Sequence, residues 1–332
     1  NIASRALGET RTVIEQRIDA SIVELNYTVS KIADLNAKIT NVEPGTQQHA
    51  TLTDEISLLL DGLADLADTR VLFDNAGRAA VFTAGGTPIV EGDSARSFSF
   101  EHATGTLLAD DIDVTPGRVD SRGFSEGNIA GNVALFNDTL PRMQLQLDEL
   151  ARGLIVGFEA SDASLTPGSP GLFTDAGGTA FDLLALDGLA GRIAVNDAVR
   201  PSAGGDLWRI RDGVGAALEG PPSDSGQVIE FVRMFENAQS FDGMAGLGVS
   251  NTLSGFAEAL VSDQQNVRVE ADELRESFAA SAGALAATRS STSGVNIDDE
   301  LQQLIQIEQS YAANSQVLKV LTEMIDTLLN AF

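Results

Sequence analysis

The chain has 332 residues, 43% of them hydrophobic and only 5% aromatic, with 21 basic against 48 acidic residues for a formal net charge of −27. That balance excludes a phosphate-neutralising nucleic-acid surface and disfavours an anionic membrane, and the apolar share excludes a disordered chain. The absence of cysteine removes disulfides, thiolate metal sites and a thiol nucleophile, and the length implies two or three domains.

In chain order, the first expected element is a long helix, roughly Thr12 to Ile39. Ile18, Ile22, Leu25, Val29, Ile32 and Ile39 recur at steps of three and four, and Glu43-Pro44-Gly45 breaks the pattern. A second helix is expected over Leu52 to Leu66, capped by Thr51 or Thr53. From Val71 to Asp113 the period shortens, and Arg78 to Thr83, Pro88 to Val90 and the alternating Ser97-Phe98-Ser99-Phe100 read as strands. Gly85-Gly86-Thr87-Pro88 is a hairpin turn rather than a phosphate loop, since no Gly-Lys pair follows it.

Gly127 and Gly131 lead into another helical pattern through Phe136, Leu140, Met143, Leu147, Leu150 and Leu154, with a kink or helix start expected at Pro141. Pro167 to Gly220 is loop-rich, with short strands at Leu172-Phe173, Ile193 to Asn196 and Leu207 to Ile210. Helices return at Val228 to Phe235, Gly255 to Val261 and Val267 to Ala287.

The last segment carries the strongest pattern. Leu304, Ile307, Tyr311, Asn314, Leu318, Leu321, Ile325, Leu328 and Phe332 alternate steps of three and four without a Gly or Pro from Asp298 onward. This is a heptad seam that faces partner helices, and its one amide, Asn314, penalises wrong registers. Asn296 is the expected cap, with Asp298, Asp299 and Glu300 favoured by the helix dipole. A seam this long needs a partner of comparable length, so these nine residues form the predicted assembly interface.

No arrangement in the chain calls for catalysis. Asp110, Asp111 and Asp113 cluster, as do Glu270, Asp272, Glu273 and Glu276, but clusters arise by chance among 48 carboxylates. The two histidines, His49 (placed in a loop) and His102, are too few for a multi-histidine metal site, and neither Asp110 to Asp113 nor Asp182 to Asp187 has the spacing of a calcium loop. No cofactor is expected.

Three stretches resemble the carboxyl end of bacterial flagellar rod, hook and hook-associated proteins. They are Ser293-Gly294-Val295-Asn296-Ile297-Asp298-Asp299-Glu300, then Gln309 to Leu318, then Glu323 to Asn330. Two further patterns favour the hook-associated branch: Val29 to Ile39 with Leu52 to Leu66, and Gly127-x-x-x-Gly131 followed by Asp138, Leu140-Pro141, Leu147-Asp148 and Ala151. The resemblance implies a structural subunit exported through the flagellar type III channel without a cleaved signal and assembled between hook and filament. Its implied partners are hook protein, the second hook–filament junction protein, neighbouring copies of itself and a cytoplasmic export chaperone, with no nucleic acid and no membrane insertion.

The fold expected is α+β and multidomain, with a long-helix rod built from both chain ends and β-rich inserts. Residues 1–70 and 226–294 would supply the rod, 71–125 a β-rich module, 126–160 a helical connection, 161–225 a small β-rich or loop insert and 295–332 the terminal assembly helix. The chain lacks an initial Met and the Ser-Gly-Leu-rich start of the family's pairing helix, so a truncated amino terminus is expected. The alternatives are another axial subunit (hook, rod or flagellin-like) or a glycan hydrolase with a carboxylate pair on an axial scaffold.

Overall fold

The computed structural model describes all residues except 120, 177–180, 183–184, 294–296 and 330–332, and describes no side chains in 290–300 or 321–332. The described chain is α+β, helices with small antiparallel sheets, and divides into two units, Asn1–Val261 and Ser262–Phe332.

The first unit opens with helix α1 (Ile2–Ile39), longer at its start than the apolar spacing indicated. Ile18, Ile22, Leu25, Val29, Ile32 and Ile39 are all buried in the core of this unit. At about 1.5–3 kcal/mol per fully buried aliphatic side chain, tertiary packing holds this helix far more firmly than helix propensity does. Helix α2 (Gln47–Leu66) starts five residues before the expected Leu52. Its cap is Thr46, whose hydroxyl accepts from His49 N, rather than Thr51 or Thr53. Those two hydroxyls bond back to the carbonyls of Gln47 and His49 inside the helix. His49 accordingly lies in the first turn of α2 and not in a loop.

The β-rich region holds two sheets. Strands β1 (Thr69–Phe73), β2 (Ala79–Thr83), β3 (Pro88–Glu91) and β4 (Ser94–Ala95) form one antiparallel meander. Strands β5 (Phe98–Glu101), β6 (Thr106–Ala109) and β7 (Ile112–Asp113) form the other. The Gly85-Gly86 segment is the β2–β3 turn, closed by Thr83 N to Thr87 O at 2.8 Å and Gly86 N to Thr83 O at 2.9 Å. Gly123 passes so close to the chain at Val114 that a Cβ there would sit 1.9 Å from the Val114 carbonyl oxygen, which only glycine avoids.

Two asparagines of α1 fasten this module to the helix. The Asn26 amide donates to Phe98 O at 2.8 Å while its oxygen accepts from Phe98 N at 2.7 Å, as a neighbouring strand would. Asn36, fully buried, donates to Ala79 O and Gly92 O and accepts from Ala79 N, all within 2.9 Å. A side-chain amide thus pairs strand-edge groups that would otherwise be buried unsatisfied.

Helix α3 (Gly127–Ala134) runs through a π turn (Leu135–Thr139) into α4 (Leu140–Ser161). Pro141 explains the irregularity. Its ring would clash with the carbonyl four residues back in a continuous α-helix, whereas it fits the first turn of a new one. The π turn aims Phe136 into the core, under the Arg11 guanidinium at 4.1 Å and edge-on to Phe100 at 5.4 Å.

Beyond α4, strand β8 (Phe173–Asp175) pairs with β9 (Ile193–Val195), which follows the short helix α5 (Leu189–Arg192). The expected strand at Leu207 to Ile210 is instead a helical turn, α6 (Trp208–Asp212). Arg209 decides this locally by donating to Val214 O and Ala216 O, and Gly213, at φ +102°, ends the turn. Helix α7 (Gly226–Met234) leads to a hairpin the sequence did not announce, β10 (Ala238–Ser240) with β11 (Ser250–Thr252). Glu149 of α4 holds it, bridged by Arg152 and accepting from Asp242 N at 2.8 Å. Phe158, Phe231, Met234, Phe241, Leu253 and Phe256 form the core there, with Phe241 stacked on Phe256 at 4.0 Å.

Helix α8 (Leu253–Ser293) begins in that core and continues without interruption, merging the two helices expected at Gly255 to Val261 and Val267 to Ala287. The second unit comprises the rest of α8 and helix α9 (Ile297–Leu329). No helix among the described residues is long and apolar enough to cross a membrane.

Candidate assembly surface

Helix α9 spans 33 residues, about 50 Å at 1.5 Å per residue. Successive steps of three and four put the seam positions on one face of such a helix. Leu304 (64% exposed), Ile307 (65%), Tyr311 (76%) and Leu318 (67%) are open to solvent, as is Asn314 between them. Leu321, Ile325 and Leu328 lie within α9, with side chains outside the described set, and Phe332 and the expected cap Asn296 lie outside the described residues altogether.

Exposed apolar side chains on one stripe differ from scattered ones, because contiguous apolar surface marks an interaction site. A second stripe, which the sequence reading missed, lies on α8: Val267, Leu274, Phe278 and Leu285. Val267 is half-buried and the other three are exposed. Its signal was present as steps of seven, four and seven, but Ala271 and Ser281 occupy the intervening seam positions and dilute it.

The charged clusters weighed as chemistry sit in ordinary structural roles. Asp110 pairs with Arg96 at 3.0 Å and accepts from Ser97 N. Asp113 pairs with Arg118; burial pushes its carboxyl up, but hydrogen bonds from Thr115 and Arg118 prevail and hold it below its ordinary value. Asp111 is exposed. On α8, Glu270, Asp272, Glu273 and Glu276 are all exposed. His49 Nε2 meets Ala76 O at 3.0 Å, and His102 Nε2 meets Asp19 Oδ1 at 3.0 Å. Among the described residues no three His, Cys, Asp or Glu side chains are grouped to hold a metal. Residues 183–184 of the Asp182 to Asp187 run lie outside that description.

Among the described residues, Asp148, 1% exposed, is the one buried carboxylate with a raised pKa, pushed up chiefly by burial against the hydrogen bonds that favour its charge. It accepts from Gly188 N at 2.9 Å, Ala190 N at 2.7 Å and Gln144 Nε2 at 2.9 Å, fixing the start of α5 on α4. Its role is to anchor that turn.

Comparison with known proteins agrees with a helical axial subunit. The family model for the flagellar hook-associated protein FlgK helical domain matches residues 1–164, and that for the flagellar basal body rod FlgEFG protein C-terminal region matches residues 286–331. Flagellar hook-associated protein 1 of Bacillus subtilis (strain 168) is 21% identical over 364 aligned positions, which cover 99% of this chain and 68% of that protein. The flagellar hook junction protein FlgK from Burkholderia pseudomallei, a solved structure, is 23% identical with a TM-score of 0.43, covering 53% of this chain and 34% of that one. The chain therefore spans about a third of the solved chain's length.

The two family models and the Bacillus subtilis relative are all of flagellar axial proteins, a structural class. Within that class the hook-associated protein FlgK helical-domain model gives the longer match, residues 1–164 through α1, α2 and α4, and adds to the carboxyl-terminal match at 286–331.

Proposed function

We propose that this chain is a structural adaptor joining the flagellar hook to the filament, and that it assembles by burying the α9 seam against helices of neighbouring subunits. The observation that carries the reading is the exposed stripe Leu304, Ile307, Tyr311 and Leu318 on a helix of about 50 Å. Burial of each such side chain contributes about 1.5–3 kcal/mol, so the stripe as a whole is comparable to the 4–15 kcal/mol that association costs. Asn314 would set the register, since its amide is satisfied in one alignment only. Leu321, Ile325, Leu328 and Phe332 extend the same stripe in sequence.

In this reading both chain ends, residues 1–70 and 226–294, contribute to a rod, with the modules at 71–125 and 161–225 carried on it. The partners are hook protein, the second junction protein and further copies of the chain, with an export chaperone for the terminal helix before secretion. Complementing a strain that lacks the full-length gene tests it. Bare hooks and flagellin shed into the medium are expected on deletion. The full-length gene should restore filaments, while Leu318→Asp or Ile325→Asp should not, although the β-rich module stays folded. Filaments built normally by either variant would remove α9 from assembly, and absent hooks on deletion would indicate a hook or rod subunit.

A further inference from the structure

Strand β1 forms an outer edge of the first sheet, paired on one side only, with β2. Residues of an antiparallel strand alternately turn their N–H and C=O groups toward the partner strand and away from it. Asp74 N donates to Arg78 O and Ala84 N donates to Asp68 O, so Asp68, Arg70, Leu72 and Asp74 face β2. Ala79, opposite Phe73, agrees, since its N–H and C=O turn away from β1 to Asn36. Thr69, Val71 and Phe73 therefore direct their backbone groups outward, and among the described residues nothing bonds to them. Leu72 and Phe73 are more than half exposed, and Val71 is half-buried. Elsewhere the module closes its edges: β4 is two residues long, and Asn26 takes both backbone groups of Phe98. An apolar edge of five residues without Pro, Gly or Lys is a template for a further strand.

The geometry points to a second copy of this chain as that strand, its β1 running antiparallel to the first about a two-fold axis at Leu72. The edge is complementary to itself in this register. Val71 exchanges both backbone bonds with Phe73 of the second copy, and Phe73 does so with Val71. Leu72 lies opposite Leu72, and Arg70 lies opposite Asp74 on either side of the axis. Arg70 is exposed, and Asp74 holds its own Arg78 at 2.6 Å on the β2 side, leaving the open side to the second copy. The two neighbouring registers keep the outward groups paired but set like charges opposite each other, which is unfavourable. Centring on Arg70 opposes Arg70 to Arg70, and centring on Val71 opposes Asp68 to Asp74. Such a contact is isologous, so it closes at two copies and covers an edge that otherwise invites aggregation. It lies in the first unit and does not rest on the reading of α9.

The chain has no cysteine, so one introduced thiol can link only to its own copy. Directly opposite residues of a non-hydrogen-bonded pair stand about 4.5 Å apart at Cα, within disulfide reach. Diamide oxidation of the full chain carrying Leu72→Cys is expected to give linked dimers about tenfold faster than Arg70→Cys or Phe73→Cys. Those two positions face Asp74 and Val71 of the second copy rather than themselves, and each rate is scaled by the thiol's reaction with a soluble aromatic disulfide. Val71→Pro, added to Leu72→Cys, removes an outward donor and should slow linking to the control rate. Trp208 fluorescence in urea checks that the first unit stays folded. Should that variant not fold, Arg70→Glu sets a carboxylate against Asp74 and is expected to slow linking equally. Equal rates at the three positions, or linking that survives Val71→Pro or Arg70→Glu in a folded chain, would overturn the self-pairing. Failure of Leu72→Cys to link at all would also overturn it and leave the edge to a strand of another protein.

Discussion

Helices α1 and α9 carry the same three-four apolar spacing, yet one is sealed in a core and the other lies open. Along α1, Ile18, Leu25 and Ile32 are fully buried, while on α9 Leu304, Ile307 and Tyr311 are more than half exposed. Spacing fixes which face of a helix seeks cover. It does not say whether the cover comes from the same chain. For α1 it does: α2, α3 and the first sheet pack on the stripe, and Asn26 and Asn36 reach beyond it to strand backbones. On α9 the stripe Leu304, Ile307, Tyr311 and Leu318 is instead exposed.

The sharpest way to break this contrast is to truncate one residue of each stripe and follow unfolding in urea through Trp208, the single tryptophan, which lies in the first unit. Leu25→Ala is expected to cost roughly 2–5 kcal/mol, as buried leucines do. Ile307→Ala should leave the same transition within about 0.5 kcal/mol, because an exposed side chain loses little. Comparable losses in both would show that the two stripes are not differently covered.

Asn36→Ala comes next. It removes three hydrogen bonds and strands Ala79 N and two carbonyls in the core, for an expected loss of about 3 kcal/mol. A near-neutral result would mean that the strand edges find other partners and that the α1 stripe alone holds the module. Gly123→Ala is expected to cost roughly 1–3 kcal/mol through its collision with Val114 O, readable as a lowered urea midpoint at unchanged slope.

The smallest effect concerns pH. The Arg211 guanidinium, with help from Gly220 N, holds the Asp212 carboxyl at about 2, against an ordinary 3.8. A carboxylate depressed in the folded state adds stability that is present above its unfolded pKa and lost as pH falls through the folded one. That contribution should disappear between about pH 4 and 2. Arg211→Ala should return the Asp212 titration, followed by carboxyl NMR, toward 3.8. A titration that stays near 2 would transfer the effect to the loop backbone.

The helical stripe proposed as the assembly surface is a local pattern, and its positions from Leu304 to Leu328 all fall within the one helix α9. The turn at Gly85-Gly86 and the restart at Pro141 were legible for the same reason, since backbone freedom and a missing N–H act where they stand. The α8 stripe was harder, with small residues at two of its positions. The turn at Trp208 was misread as a strand, because four mostly apolar residues do not separate the two periods. What settled it was Arg209 reaching carbonyls five and seven residues ahead.

The sequence by itself determined long amphipathic helices, short strands between them and a terminal helix with a three-four apolar stripe, in words that resemble flagellar axial proteins. Only the tertiary structure decided that α1 is clamped to two sheets by Asn26 and Asn36, and that Glu149 secures the β10–β11 hairpin. It also decided that α8 runs unbroken from a buried start. The reason is physical. Periodicity and turn chemistry act over a few residues, whereas these bonds join groups 43, 72 and 93 positions apart, and spacing along the chain says nothing about which distant backbone will arrive beside a given amide.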